Sequence, residues 1–302
     1  MNRINVKLFY SRYPNFGDML NEYLLQSLFY VKVDHCLFTD ADMVAIGSIL
    51  DKMLNHGNMK EYYREMQKES LTDKPIHVWG TGLMYPYKPA EQKFVRPLVI
   101  HALRGEMTRK TVSDILGKKI NCAIGDPGIL VSRVIPAEEK EYDMGIIPHF
   151  ADLELPVFEK MRKHYPNAVI IDVRAEPETV IKQISSCRRT ISTSLHGLVI
   201  SDSYGIPNCW CEASENVLGN GHKFHDYFSS FGTDRKPFDL RECAFPDEDS
   251  LYVTSFQKDS ELKSQQSALI KNFPYFLLMK ELGRKTERKL RKIRENIQNG
   301  LF

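Results

Sequence analysis

Strand and helix patterns alternate twice along this 302-residue chain, which predicts an α/β protein of two Rossmann-like domains facing a cleft. Three observations carry that expectation. Each half opens with a short apolar strand that passes through a turn into a helix, at residues 4–29 and again at 142–164. Small-residue turns recur where strands end, at Gly47-Ser48, Gly80-Thr81-Gly82 and Gly105, so backbone can approach a ligand closely there. The run from Val134 to Asp143 is charged and carries a proline, the composition of an interdomain linker. The expected domains are 1–138 and 139–260, followed by a helical segment over 261–302 with a basic amphipathic tail. Each domain is large enough to bury a sizeable core.

In order, residues 4–10 alternate as a half-buried strand, and Pro14-Asn15-Phe16-Gly17-Asp18 turns the chain into a helix over 19–29. Strands follow at 42–50 and 76–82, separated by a polar, Met- and Tyr-rich helix over 53–69. Residues 86–97 read as a loop, 98–109 as strand, turn and helix, and 120–124 as a short strand. Gly125-Asp126-Pro127-Gly128 then pins a bend at the end of the first domain. The second half repeats the rhythm, with a strand at 142–147, the turn Pro148-His149-Phe150, a helix at 155–164, a strand at 168–173 and a helix at 177–186. Beyond the strand around Trp210, residues 232–250 are loop-rich, and a helix over 262–278 is open to breakage at Pro274.

Composition narrows the function classes. Apolar residues make up 42% and charged residues 26%, ordinary for a soluble globular protein. The formal charge is +2, and no nucleic-acid-binding motif appears. No stretch approaches the roughly 20 apolar residues that span a bilayer, and the amino terminus reads as a first strand rather than a signal peptide. Six cysteines lack zinc-type spacing, and Cys209-Trp210-Cys211 places two thiols on one face of a strand. They read as reduced residues of a cytoplasmic protein, with neither a metal site nor a cofactor expected.

The chemistry concentrates between Thr190 and Pro207. A short strand enters a polar turn of Ser192, Thr193 and Ser194, and an apolar helix begins near His196 and Gly197 and stops at Gly205 and Pro207. The first N–H groups of such a helix face outward and its dipole favours an anion. His196 is the titratable side chain at that mouth, at the strand edge where open α/β sheets bind ligands. Its structural alternative is a helix cap or a polar corner of the core.

The run S-T-S-L-H-G-L-x-x-x-D-S-x-G-I-P resembles the signature of the polysaccharide pyruvyl transferase family. Other segments are similar to that family's motifs: N-F-G-D-x-L-N from Asn15, Arg104-Gly105 with Thr108, the Gly125-Asp126-Pro127-Gly128 turn, and a late K-x-x-D-Y segment at Lys223. The resemblance implies the glycosyltransferase-type GT-B arrangement of two domains and transfer of pyruvate from phosphoenolpyruvate to a sugar as a ketal. The acceptor would be a cell-surface polysaccharide or its lipid-linked precursor. It further implies His196 and Arg104 as catalytic residues, with Ser192, Ser194, Leu195, Gly197 and Lys223 holding the donor and Asn15 and Asp18 the acceptor. The donor side falls to the second domain and the acceptor side to the first. One departure stands out: many members carry an arginine where this chain has Ser194. Arg174, Arg188, Arg189 and Lys223 are candidates for the missing cation. Asp18 also suits a helix N-cap, and Lys223 an exposed loop.

Two other functions share these features. A nucleotide-sugar glycosyltransferase would use His196 and Lys223 to hold a diphosphate, and a noncatalytic sugar-binding protein would keep the motifs as structure. The tail is a separate signal. Residues 280–296 hold eight Lys or Arg against three Glu, and Leu282, Leu290, Ile293, Ile297 and Leu301 recur at helical spacing. Residues 280–302 therefore read as a basic amphipathic helix that either packs on the first domain or meets an anionic membrane surface.

Overall fold

The computed structural model describes residues 4–29, 31–55, 74–275 and 277. The first half comprises β1 (Ile4–Leu8), α1 (Phe16–Phe29), β2 (Val31–His35), β3 (Met43–Val44), β4 (Ile76–Trp79), β5 (Leu98–Leu103), α2 (Glu106–Leu116) and β6 (Ala123–Ile124). Its strands form one parallel sheet in the order β2-β1-β3-β4-β5-β6. After a 3-10 helix, Pro127–Arg133, the second half supplies β7 (Tyr142–Ile147), α3 (Pro156–His164), β8 (Ala168–Ile170), α4 (Pro177–Ser185), β9 (Cys187–Ser192), α5 (Leu195–Ser203), β10 (Asn208–Glu212), α6 (His222–Ser229) and β11 (Phe238–Asp239). These strands form a second parallel sheet, β11-β10-β9-β7-β8. The last described helix is α7 (Asp259–Lys271).

Counted from its own first strand, each sheet places the second strand on one side of the first and the third, fourth and fifth on the other. In doubly wound sheets a crevice opens where the order reverses, outside the carboxyl ends of the flanking strands. In the first sheet those ends carry Asn15 to Asp18 and Gly47-Ser48; in the second they carry His149 to Asp152 and Ser194 to His196. The topology thus fixes which four loops can build a shared site.

The halves are closely joined. Residues of β1 and α1 share one apolar cluster with Ile147, Val180, Leu198 and Ile200 from the second half. Helix α7 staples the join from behind, where Trp79 Nε1 donates to the Leu269 carbonyl at 3.0 Å and Gln266 Nε2 to the Ile129 carbonyl at 2.7 Å.

Several elements differ from expectation for identifiable reasons. Strand β2 was not anticipated; its Val-Lys-Val alternation buries the valines and exposes the lysine at the sheet edge. Helix α1 begins at Phe16 rather than Met19, because Asn15 Oδ1 accepts from the Gly17 N–H at 3.4 Å and so takes the cap that Asp18 was expected to supply. The strand expected over 42–50 shrinks to Met43–Val44, and the chain turns at Gly47, whose φ is +106°. Helix α7 starts at Asp259 and ends ahead of Pro274. The helix expected over 53–69 falls almost wholly outside the described residues, and so does the basic tail over 280–302. All six cysteines are free, with the Cys209 and Cys211 sulfurs 3.6 Å apart on one buried face. Among the described residues no helix is long and apolar enough to cross a membrane.

Candidate active site

The two halves are clamped by a buried ion pair beside the crevice. Arg104 follows β5 and is fully buried; its Nε donates to Asp226 Oδ2 at 2.9 Å, Nη1 to Ser48 Oγ at 2.9 Å and Nη2 to the Leu83 carbonyl at 2.6 Å. Asp226, in α6, also accepts the Thr108 N–H at 2.8 Å and the Thr108 hydroxyl at 2.7 Å. Gly105 permits this approach, since a Cβ there would lie 1.8 Å from the Asp226 carbonyl oxygen. The R-G-x-x-T and K-x-x-D segments are therefore two sides of one contact. Arg104 was expected as a catalytic residue, but its guanidinium is held by protein partners, Asp226, Ser48 and the Leu83 carbonyl.

Helix α6 projects Lys223 into the crevice. The sequence suggested an exposed loop lysine, yet Lys223 is helical and only 8% exposed. Among the described residues it has no hydrogen bond or ion pair; its ammonium lies 5.5 Å from the Phe224 ring centroid. Burial, then the charge of Arg104, pulls its pKa down to about 8, with Asp18 and Asp152 opposing. The other candidate cations are spoken for: Arg174 pairs with Asp172, Arg188 with Asp143 and Arg189 with Asp249.

His196 lies one residue into α5 and is 8% exposed. Its ring meets the edge of Phe16 at 6.3 Å and 78°, and a Cβ on Gly17 would sit 2.1 Å from its Nδ1. The N-F-G segment thus needs glycine because the catalytic candidate occupies the space of a side chain. Among the described residues Nε2 is buried without a partner, 3.8 Å from Asp126 Oδ2, which is likewise buried without one. Burial first, then the charges of Lys223, Arg104 and His149, hold the His196 pKa down at about 3. Burial raises Asp126 to about 6, against the Gly128 N–H that Oδ1 accepts at 2.8 Å.

The remaining expected residues divide by where their polar groups point. The backbone N–H groups of Leu195, His196 and Gly197 have no acceptor among the described residues, and the Ser194 hydroxyl caps nothing. These groups form an open helix start, the arrangement whose free N–H groups and dipole favour an anion. Ser192 differs from expectation: its hydroxyl contacts the Ile147 and Ser194 carbonyls and accepts the Ser194 N–H, so it builds the turn instead of facing a ligand. Asn15 donates to Asp18 Oδ2 at 3.1 Å, and burial raises Asp18 to about 6 while Asn15, Lys52 and Lys223 oppose. Both residues line the first domain's side of the crevice.

Sequence reasoning passed over three residues here. His149 ends the turn after β7, and burial with the Lys223 charge lowers its pKa to about 3. Asp152 is buried beside it, with Oδ2 unpartnered among the described residues. Asp126 read as part of a bend and of a family-like turn without a role of its own, because nothing local marks which way a turn carboxylate points. At the crevice lip the exposed rings of Tyr13, from the first half, and Phe150, from the second, stack at 6.4 Å and 9°. Among the described residues no three His, Cys, Asp or Glu converge as a metal site.

A family model described as polysaccharide pyruvyl transferase matches residues 6–215. The chain belongs to this family. Relatives include an uncharacterized protein of Acanthamoeba polyphaga mimivirus, 27% identical over 231 residues that cover 74% of this chain and 73% of that one. The succinoglycan biosynthesis protein ExoV of Rhizobium meliloti (strain 1021) is 24% identical over 235 residues, which cover 75% of this chain and 65% of ExoV. Among solved structures, the E. coli heptosyltransferase WaaC with ADP aligns with 72% of this chain and 90% of its own, at 11% identity and a TM-score of 0.27. The family match contains Arg104, Asp126 and His196 and ends before Lys223 and Asp226. The clamp therefore ties the matched region to a helix beyond it.

Proposed function

We propose that the protein transfers the pyruvyl group of phosphoenolpyruvate to two hydroxyls of a saccharide in polysaccharide biosynthesis, forming a ketal and releasing phosphate. The observation that carries this reading is the convergence, in one crevice, of an unpaired buried lysine, an open helix start and a buried histidine. Phosphoenolpyruvate presents a carboxylate and a phosphate on a small frame. Lys223 and the N–H groups of Leu195 to Gly197, with the Ser194 hydroxyl, supply anion-holding groups for both. Arg104 acts from behind, holding α6 in place and adding positive potential. In the reaction C3 of the donor gains a proton, two acceptor oxygens bond to C2, and the C2–O bond to phosphate breaks. The two hydroxyl protons lost exceed the one gained at C3, and the surplus leaves with phosphate or solvent. His196 is the proton carrier for these steps.

In this reading the acceptor enters past Tyr13 and Phe150, whose exposed rings suit the apolar face of a pyranose. Replacing either with alanine is expected to raise KM for the acceptor several-fold, in line with about 0.5–1.5 kcal/mol for an aromatic contact, and to leave donor affinity unchanged. Steady-state kinetics with each substrate varied in turn checks this. The acceptor is a lipid-linked precursor at the inner face of the membrane, and the basic tail over 280–302 holds the enzyme at that surface.

The pH dependence follows from the groups named. Asp126 and Asp18, both raised to about 6, are protonated as pH falls, and Lys223, lowered to about 8, is deprotonated as pH rises. A plot of kcat/KM against pH is expected to be bell-shaped with limbs near those values. Lys223→Met is expected to weaken donor binding about 10- to 150-fold, the equivalent of 1.5–3 kcal/mol for a charge-assisted contact, and to abolish the alkaline limb. An intact alkaline limb in this variant would assign the titration to another group.

The function itself is tested by phosphate release from phosphoenolpyruvate against a panel of galactose-, glucose- and mannose-type acceptors. Acceptor-dependent release is expected. Release of a nucleoside diphosphate from a nucleotide sugar, with none of phosphate from phosphoenolpyruvate, would replace this reading with glycosyl transfer.

A further inference from the structure

We propose that Asp126 and His196 form a dyad across the two domains, in which Asp126 Oδ2 holds the imidazole proton on Nε2 and leaves Nδ1 to exchange protons with substrate. The proposal rests on the function proposed above for the identity of the substrate, and on geometry alone for the dyad. Asp126 touches no substrate in it and is a positioning residue.

The two carboxylate oxygens of Asp126 are unequal. Oδ1 is held by the Gly128 N–H at 2.8 Å, inside the turn that ends the first domain. Oδ2 is fully buried, has no hydrogen-bond partner among the described residues, and faces His196 Nε2 at 3.8 Å. Nε2 is also sealed without a partner. Two buried polar atoms left facing each other are costly apart and satisfy each other when joined. Hydrogen-bond distance is about 1 Å shorter than the separation seen, and catalytic contacts in unliganded sites are commonly long until substrate binds.

The ring's setting decides which nitrogen does what. Phe16 and Gly17 of α1 pack against the imidazole, and a Cβ on Gly128 would come within 3.8 Å of its Cδ2. Nδ1 lies against Gly17, at the first-domain wall of the crevice, while Nε2 points away from it to Asp126. The charged and titratable groups bearing on the ring are Lys223 from α6, Arg104 from the end of β5 and His149 from the end of β7, and all three oppose its protonation. Among the described residues, Asp126 is the carboxylate that comes within 4 Å of it. Near neutral pH the imidazole is therefore neutral and Asp126, above its value of about 6, is ionised. An ionised carboxylate only accepts, so it selects the tautomer with hydrogen on Nε2. When Nδ1 takes a hydroxyl proton, the new imidazolium charge lies beside that carboxylate, the role a triad aspartate plays elsewhere.

The test is nitrogen NMR of isotope-labelled histidine, with His196 assigned by its loss in His196→Gln. The wild-type protein should show His196 protonated on Nε2 near neutral pH. Asp126→Asn keeps the oxygen that caps Gly128 and sets an amide donor against Nε2, so the tautomer should switch to Nδ1–H. In that variant kcat should fall on the order of 10³- to 10⁴-fold, the scale of a wrong-tautomer defect, with little change in donor KM. Wild-type His196 protonated on Nδ1, or an Asp126→Asn variant with unchanged tautomer or near-normal kcat, would overturn the dyad. The spectra need no substrate. Wild-type protein with the expected tautomer but no pyruvyl transfer would instead sink the proposed function and leave the dyad standing.

Discussion

His196→Gln is expected to lower kcat by on the order of 10²- to 10⁴-fold while leaving the fold and donor affinity nearly intact. The loss should be large because the other titratable groups at the crevice are poor substitutes. His149 Nδ1 already accepts the Ala151 N–H at 3.2 Å, and Lys223 is the group proposed to hold the donor's negative charge. The fold should survive because, among the described residues, the His196 side chain makes no hydrogen bond that holds α5 in place, and glutamine fills much of the same space between Phe16 and Gly17. Donor affinity should survive because the groups proposed to hold the anions are the backbone of α5 and Lys223. Single-turnover phosphate release and donor titration separate the two effects. Equal loss of kcat and donor affinity would mean that the ring mainly binds.

The second large effect is structural. Asp226→Ala leaves Arg104 buried without its counter-charge and removes the acceptor for two Thr108 donors. Breaking one side of a buried pair costs about 3–5 kcal/mol, and in a chain of this size that lowers Tm by on the order of 10 °C. Asp226 belongs to the helix that carries Lys223, so donor binding should weaken as well. Replacing both partners with apolar residues, Arg104→Met with Asp226→Leu, should recover much of the lost stability. Thermal unfolding of the three variants checks this; a Tm for Asp226→Ala within about 2 °C of the parent would show that the pair does not hold the halves together.

What the sequence made legible, and what it hid, follows from the range of the forces involved. The alternation of strands and helices, the second domain's elements as far as β10 and the His196 turn could be read directly, because periodicity and turn chemistry are local, whereas α6 and β11 were not read. The β2 edge strand was missed since five residues of Val-Lys-Val-Asp-His following a helix carry a weak pattern. The roles of charged residues were harder to see. Arg104 and Asp226 lie 122 positions apart, and neither shows in isolation that it is consumed by the other. Ser192 and Ser194 are two residues apart and chemically alike, yet one hydroxyl turns inward to the Ile147 carbonyl and the other caps nothing. Asp126 was read as a bend because its partner lies 70 residues on, in the other domain.

The most direct test of pyruvyl transfer is to incubate the protein with phosphoenolpyruvate labelled at C2 and a saccharide acceptor, and to follow the labelled carbon by NMR and the acceptor by mass spectrometry. Pyruvyl transfer predicts a quaternary ketal carbon on the saccharide, a mass gain equal to pyruvate less one water, and one phosphate released per ketal formed, all lost in His196→Gln. Free labelled pyruvate with an unmodified acceptor, or a ketal formed equally well by the variant, would contradict it.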